Sequence, residues 1–171
     1  MPQLTFSGGF NGRDTLADAR ARMVVERKQP GGTICPCCNK HVQEYRRPIH
    51  SSMGRALIAL YHYERRHGEG SWAPLGKTAS RNHSGGDYSK CAWWGLVEQR
   101  PKTTKESKSK KDSGVWRLTD DGRAFVRNQT RLLSHAREYL SDVIGLEGAP
   151  VCIEDVLGDH FNYPELMRGD A

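Results

Sequence analysis

Residues 101–114 hold five lysines, Lys102, Lys105, Lys108, Lys110 and Lys111, between a proline and a glycine, and no large apolar side chain. Such a stretch offers nothing to a core, because ammonium groups keep their hydration unless a partner is buried with them. It reads as a solvated loop, and the apolar segments on either side, 96–100 and 115–118, read as two strands that it joins. The second strand alternates, with Val115 and Arg117 on one face and Trp116 and Leu118 on the other.

The neighbouring segments supply helices. Asp87 is an N-cap for a helix over 88–94, which Gly95 closes in the left-handed position. Thr119 caps a helix over 120–126, where Asp120 and Asp121 suit the positive end of the helix dipole. Met53, Ala56, Leu57, Leu60 and Tyr61 recur at i, i+3, i+4, i+7 and i+8. That spacing predicts an amphipathic helix from a Ser51-Ser52 cap to about residue 66, stopped at Gly68, with Arg55, Arg65 and Arg66 toward water. Nearer the N-terminus, Asp14 is a cap for a helix that must end by Pro30-Gly31-Gly32. Val42 and Tyr45 suggest a short strand, and residues 75–80 a short helix. Past residue 128, Leu132, Leu133, Ala136, Leu140 and Val143 suit a helix, yet Ser141-Asp142 between two apolar pairs suits a hairpin turn, which is the preferred reading. A short helix over 153–157 precedes Gly158, and Phe161, Tyr163, Leu166 and Met167 anchor the end.

No run of about 18 apolar residues exists, and residues 1–11 lack the pattern of a secretory signal, so a soluble intracellular protein with no membrane partner is expected. The formal net charge of +6 is unevenly spread. Residues 1–137 carry 25 basic and 12 acidic side chains, whereas 138–171 carry 8 acidic ones and Arg168 alone. A basic body is the electrostatic footprint of a polyanion binder. The acidic segment suits a basic partner surface, a fold-back onto the lysine loop, or dimerisation; a solvated surface explains it equally.

In order, residues 51–126 read helix, short helix, helix ending in Trp-Gly, strand, basic loop, strand and capped helix. The run Trp93-Trp94-Gly95-Leu96-Val97-Glu98, followed by Leu118-Thr119-Asp120-Asp121-Gly122, resembles the strand-wing-strand-helix of winged-helix transcription regulators. The resemblance implies an α+β fold with a winged helix-turn-helix core at 51–128. An N-terminal helix and cysteine knuckle at 1–50 precede it, and a small acidic α/β extension at 129–171 follows. It also implies double-stranded DNA as partner. The recognition helix would be 87–94, with Asn82, His83, Ser84, Tyr88, Ser89 and Lys90 at or near its N-terminal end and Trp93 or Trp94 inward. Arg100 and the lysines 102, 105, 108, 110 and 111 would meet phosphates. The alternative is a solvated linker on a protein-binding module.

Five cysteines are an odd number, and Cys35, Cys37 and Cys38 crowd into four residues, which argues against a disulfide framework. Cys35-Pro36-Cys37-Cys38-Asn39 resembles half a zinc ribbon, with Asn39 in the left-handed slot. A closed structural site needs four ligands. Cys35 and Cys38 would supply two, and His41, Cys37, His50, Cys91, Cys152 or a second copy of the chain the rest. The alternative is a reduced, metal-free knuckle. No His-Glu-x-x-His, phosphate-binding Gly-x-x-x-x-Gly-Lys or Gly-x-Ser-x-Gly pattern occurs, so no enzyme is expected.

The cysteine element, Ser51 to Tyr61, Trp94 to Glu98, and Leu157 to Met167 together resemble a family of small bacteriophage and prophage helix-turn-helix proteins. That implies a phage-encoded regulator of transcription in a bacterial cytoplasm. The competing class is a phage effector that binds and inhibits or redirects a host protein, a polymerase or an anti-phage defence complex, through the acidic extension.

Overall fold

The computed structural model describes residues 15–74, 78, 86–101 and 114–169. The chain is α+β, with helices and small antiparallel sheets, and it divides into two compact units. The first takes in residues 1–47 and 137–145; the second takes in 48–136 and 146–171. No helix among the described residues is long and apolar enough to cross a membrane.

In the first unit, α1 (Leu16–Glu26) starts at Thr15 rather than Asp14. Thr15 Oγ1 accepts the Asp18 N–H at 3.2 Å and Asp18 Oδ2 accepts the Thr15 N–H at 3.0 Å. This reciprocal box needs an acid three residues after the cap, and Asp18 supplies it. Strands β1 (Thr33–Ile34) and β2 (His41–Val42) pair antiparallel around the cysteine turn. Charged side chains link the parts of the first unit. Arg27 Nε donates to Glu44 Oε1 at 2.8 Å, its guanidinium lies 4.0 Å from the Tyr139 ring centre, and Arg137 approaches the other Glu44 oxygen at 3.6 Å.

In the second unit, α2 (Ser51–His67) is the central element and most of the expected stripe is buried: Met53, Ala56, Leu57 and Leu60 are inside, while Tyr61 is half-buried. Ser51 is its first residue, not its cap. His50 holds the cap position without a capping bond, and Ser52 Oγ lies 2.9 Å from His50 Nδ1. Arg65 and Arg66 are exposed as expected, but Arg55 is half-buried.

Around α2 pack a nine-residue 3-10 helix (Gly86–Trp94), α3 (Asp120–Val126), α4 (Ile153–Leu157) and α5 (Tyr163–Arg168). A three-stranded antiparallel sheet joins them, in the order β4 (Ala73–Pro74), β6 (Val115–Leu118), β5 (Val97–Gln99). Trp116 sits opposite Ala73 on one side and Gln99 on the other, and Trp116 and Leu118 are buried as their alternation predicts.

The Leu-Thr-x-x-Gly run is a structural joint. Thr119 Oγ1 accepts the Gly122 N–H at 3.0 Å and donates to the Gly95 carbonyl at 2.6 Å, and the Thr119 N–H meets the Leu96 carbonyl at 3.1 Å. Gly122 lies so close that a Cβ there would stand 2.0 Å from the Leu96 oxygen, so only glycine fits.

The preferred hairpin past residue 128 forms: β7 (Leu132–Tyr139) and β8 (Asp142–Val151), with β3 (Tyr45–Pro48) beside β7. Its turn is Leu140-Ser141, with φ of 50° and 71°, one residue earlier than the sequence suggested. Two positive φ values are what a tight two-residue hairpin asks for. The acidic segment is not a free tail. Ile153, Val156 and Leu157 are buried, with Ile153 and Val156 methyls 3.3 Å from where a Cβ on Gly54 of α2 would stand.

Candidate nucleic-acid interface

The segment expected to be an α recognition helix is a 3-10 helix instead, with three residues per turn, so side chains three apart stack in columns. One column runs Tyr88, Cys91, Trp94, with Cys91 and Trp94 buried. Trp94, not Trp93, is the inward tryptophan, and its Nε1 donates to the Leu133 carbonyl at 2.7 Å. The Cys91 thiol is pushed up to about 12 by burial, which marks it as core.

A second column runs Asp87, Lys90, Trp93. Asp87 is not a cap; its carboxylate pairs with Lys90 at 2.7 Å and His50 at 3.6 Å, and Lys90 Nζ lies 5.4 Å from the Trp93 ring centre. Tyr88, Ser89 and Lys90 are each half-buried. Of the expected contacts, Asn82, His83 and Ser84, and the lysines at 102, 105, 108, 110 and 111, lie outside the described residues, as does most of 75–80. Arg100 is exposed where β5 ends, with its N–H on the Val115 carbonyl at 2.9 Å. The described residues on either side of 102–111 thus belong to paired strands, and the Glu98–Arg117 ion pair lies across them, with Arg117 4.5 Å over the Trp72 ring.

In the cysteine turn, the Cys35 N–H bonds the Lys40 carbonyl at 2.8 Å, the Asn39 N–H bonds the Cys35 carbonyl at 2.9 Å, and Asn39 has φ 56°. Asn39 thus takes the left-handed position expected of it. Cys35 is buried while Cys37 and Cys38 are exposed. The backbone N–H groups of Cys37 and Cys38, then the neighbouring thiols, hold the Cys35 thiol below its usual range. His41 Nε2 lies 2.6 Å from the Gly31 carbonyl, which only accepts, so that nitrogen donates and is not a free ligand. Among the described residues no group of three or more His, Cys, Asp or Glu side chains is placed to hold a metal ion.

Sequence reasoning missed a concave site on the outer face of α2. A cavity of about 510 Å³ is bounded by Arg55, His62, Arg65 and Arg66 of α2, by Thr78, and by Leu166, Arg168 and Gly169 at the end of α5. The signal was present: Arg55, Ile58, Ala59, His62, Arg65 and Arg66 share one helix face at i, i+3, i+4, i+7, i+10 and i+11. Nothing local marks that face as half of a cleft, because the other wall comes from residues a hundred positions later.

Comparison of the chain with protein-family models, with curated proteins and with solved structures gives no match.

Proposed function

We propose that residues 51–128 form a winged-helix module that binds double-stranded DNA without catalysis, in the service of transcriptional control. One observation carries the reading. The antiparallel β5–β6 hairpin, backed by β4 and following a helix closed at Gly95, is joined by a connection with five lysines against two acids. A hairpin so anchored delivers cations to a phosphate backbone, while the helix beside it presents a face to the groove. The 3-10 geometry refines the residue roles. Tyr88 lies in the column of Cys91 and Trp94 and Lys90 pairs with Asp87 at 2.7 Å, so on this reading Arg100 and the lysines supply most of the phosphate contacts.

Binding to a random-sequence duplex, followed by fluorescence anisotropy, tests this. Affinity should fall steeply between about 50 and 200 mM salt. Alanine at Lys102, Lys105, Lys108, Lys110 and Lys111 should weaken binding almost uniformly across sequences and flatten the log–log salt slope by roughly 0.9 for each phosphate no longer neutralised. Unchanged binding would sink the assignment. Zinc on the knuckle is a companion proposal, supported by the turn itself, with Asn39 left-handed and the Cys35 N–H on the Lys40 carbonyl; elemental analysis after chelator-free reducing purification should give stoichiometric metal, and its absence counts against ligation.

A further inference from the structure

We propose that the cleft between α2 and α5 binds a nucleoside phosphate, at a site separate from the DNA-facing hairpin. Its charge comes from Arg55, Arg65 and Arg66, and no acidic residue is among the described residues that line it. Several arginines elsewhere in the chain are met by carboxylates: Arg27 by Glu44, Arg47 by Glu138, Arg117 by Glu98, Arg123 by Glu64. Among the described residues no carboxylate pairs with Arg55, Arg65 or Arg66.

Arg55 is the most telling of them. Its guanidinium is fixed 4.6 Å over the Phe161 ring, and its Nε is buried without a hydrogen-bond acceptor. A buried donor left unmade is costly, and structures rarely retain one without use. Arg55 also lines the cavity, so the remaining N–H groups of this planar, fixed guanidinium are a preorganised fork for phosphate oxygens, which accept in the same two-pronged geometry.

Shape selects a small ligand over a polymer. The cavity, at about 510 Å³, falls within the ~300–1,000 Å³ usual for small-molecule sites. Its walls are of two kinds. Ala59 and Leu166, both half-buried, give an apolar strip for a ring system, and the arginines give a cationic pole. His62 is tethered by its Nε2–H to the Leu166 carbonyl at 2.7 Å, which ties α2 to α5. A ligand with a flat, hydrogen-bonding body and a phosphate tail meets all of these features; a bare anion meets only the arginines.

Calorimetric titration of the full chain at about 150 mM salt, with the four common nucleoside diphosphates, their nucleosides and inorganic phosphate, tests the site. At least one diphosphate should bind about thirtyfold or more tighter than both its nucleoside and inorganic phosphate. Arg65→Ala/Arg66→Ala, both positions being exposed and the fold therefore preserved, should lose about tenfold per arginine, the size of a charge-assisted bond. Arg55→Lys, which keeps the charge and loses the fork, should also weaken binding about tenfold. Arg20→Ala, an exposed arginine of α1, should change nothing. The five-lysine variant should keep its nucleotide affinity, which separates this site from the DNA reading. Equal binding of nucleoside and diphosphate, wild-type affinity in the double variant, or a response to duplex DNA alone overturns the proposal.

Discussion

Helix α2 carries charge on two faces, and the two are handled in opposite ways. Toward α3, Glu64 is 4 % exposed and meets Arg123 at 3.3 Å; Arg123 also reaches Asp120, Glu69 at 3.4 Å and the Leu118 carbonyl at 3.2 Å. Every charge there has a partner inside the protein. Toward α5, Arg55, Arg65 and Arg66 have no carboxylate among the described residues and border a cavity. The difference separates a cation used for architecture from cations held for an outside anion. Burial costs an ion several kcal/mol, so the Glu64 face is stable only because its network is complete. The exposed Arg65 and Arg66 keep their hydration and so tolerate the lack of a carboxylate.

Breaking the internal network should have the largest effect. Arg123→Met leaves Glu64 buried without its cation and should cost about 3–5 kcal/mol in denaturant unfolding. Glu64→Leu combined with Arg123→Met should restore much of that loss, since it removes both desolvation costs. Gly122→Ala on the same helix should cost about 3 kcal/mol, at the upper end for overpacking, because the atom met is the Leu96 carbonyl and backbone cannot step aside. Thr119→Ala should cost about 1 kcal/mol through the missing cap. On the other face, Arg65→Ala and Arg66→Ala should each fall within about 0.5 kcal/mol of wild type. If they destabilise as much as Arg123→Met, the contrast between the faces is wrong.

Titration sharpens the same contrast. Burial lifts the Glu64 carboxyl above its ordinary value against the pull of Arg123. A carboxyl raised in the folded state binds more protons there than when unfolded, so stability grows as pH falls toward the ordinary value of 4.5 and is lost as pH rises through the folded one. Asp18 and Asp155, lowered by hydrogen bonds with Thr15 and Cys152, act with the opposite sign and below 3.8. Wild type should therefore gain a little stability on mild acidification, and Glu64→Gln should lack that gain in parallel unfolding curves.

Much of the fold was legible because its signals are local. The stripe of α2, the alternation of β6, the Thr119 cap, the left-handed Gly95 and Asn39, the two-residue hairpin and the 153–157 helix each depend on neighbours within a turn or two. The uneven charge and the lysine connection between two strands were likewise readable from the chain alone. Other outcomes needed distant partners. Asp87 lies inside the 3-10 helix instead of capping it, with Lys90 at 2.7 Å and His50, 37 positions earlier, at 3.6 Å. The expected α-helix tightened to three residues per turn, which places Cys91 and Trp94 in one buried column. Arg55, read as facing water, was drawn under Phe161, and the acidic segment became the second wall of a basic cleft. Periodicity records which face of an element is apolar; only packing decides what its polar face will meet, because that free energy belongs to pairs of groups and not to either one.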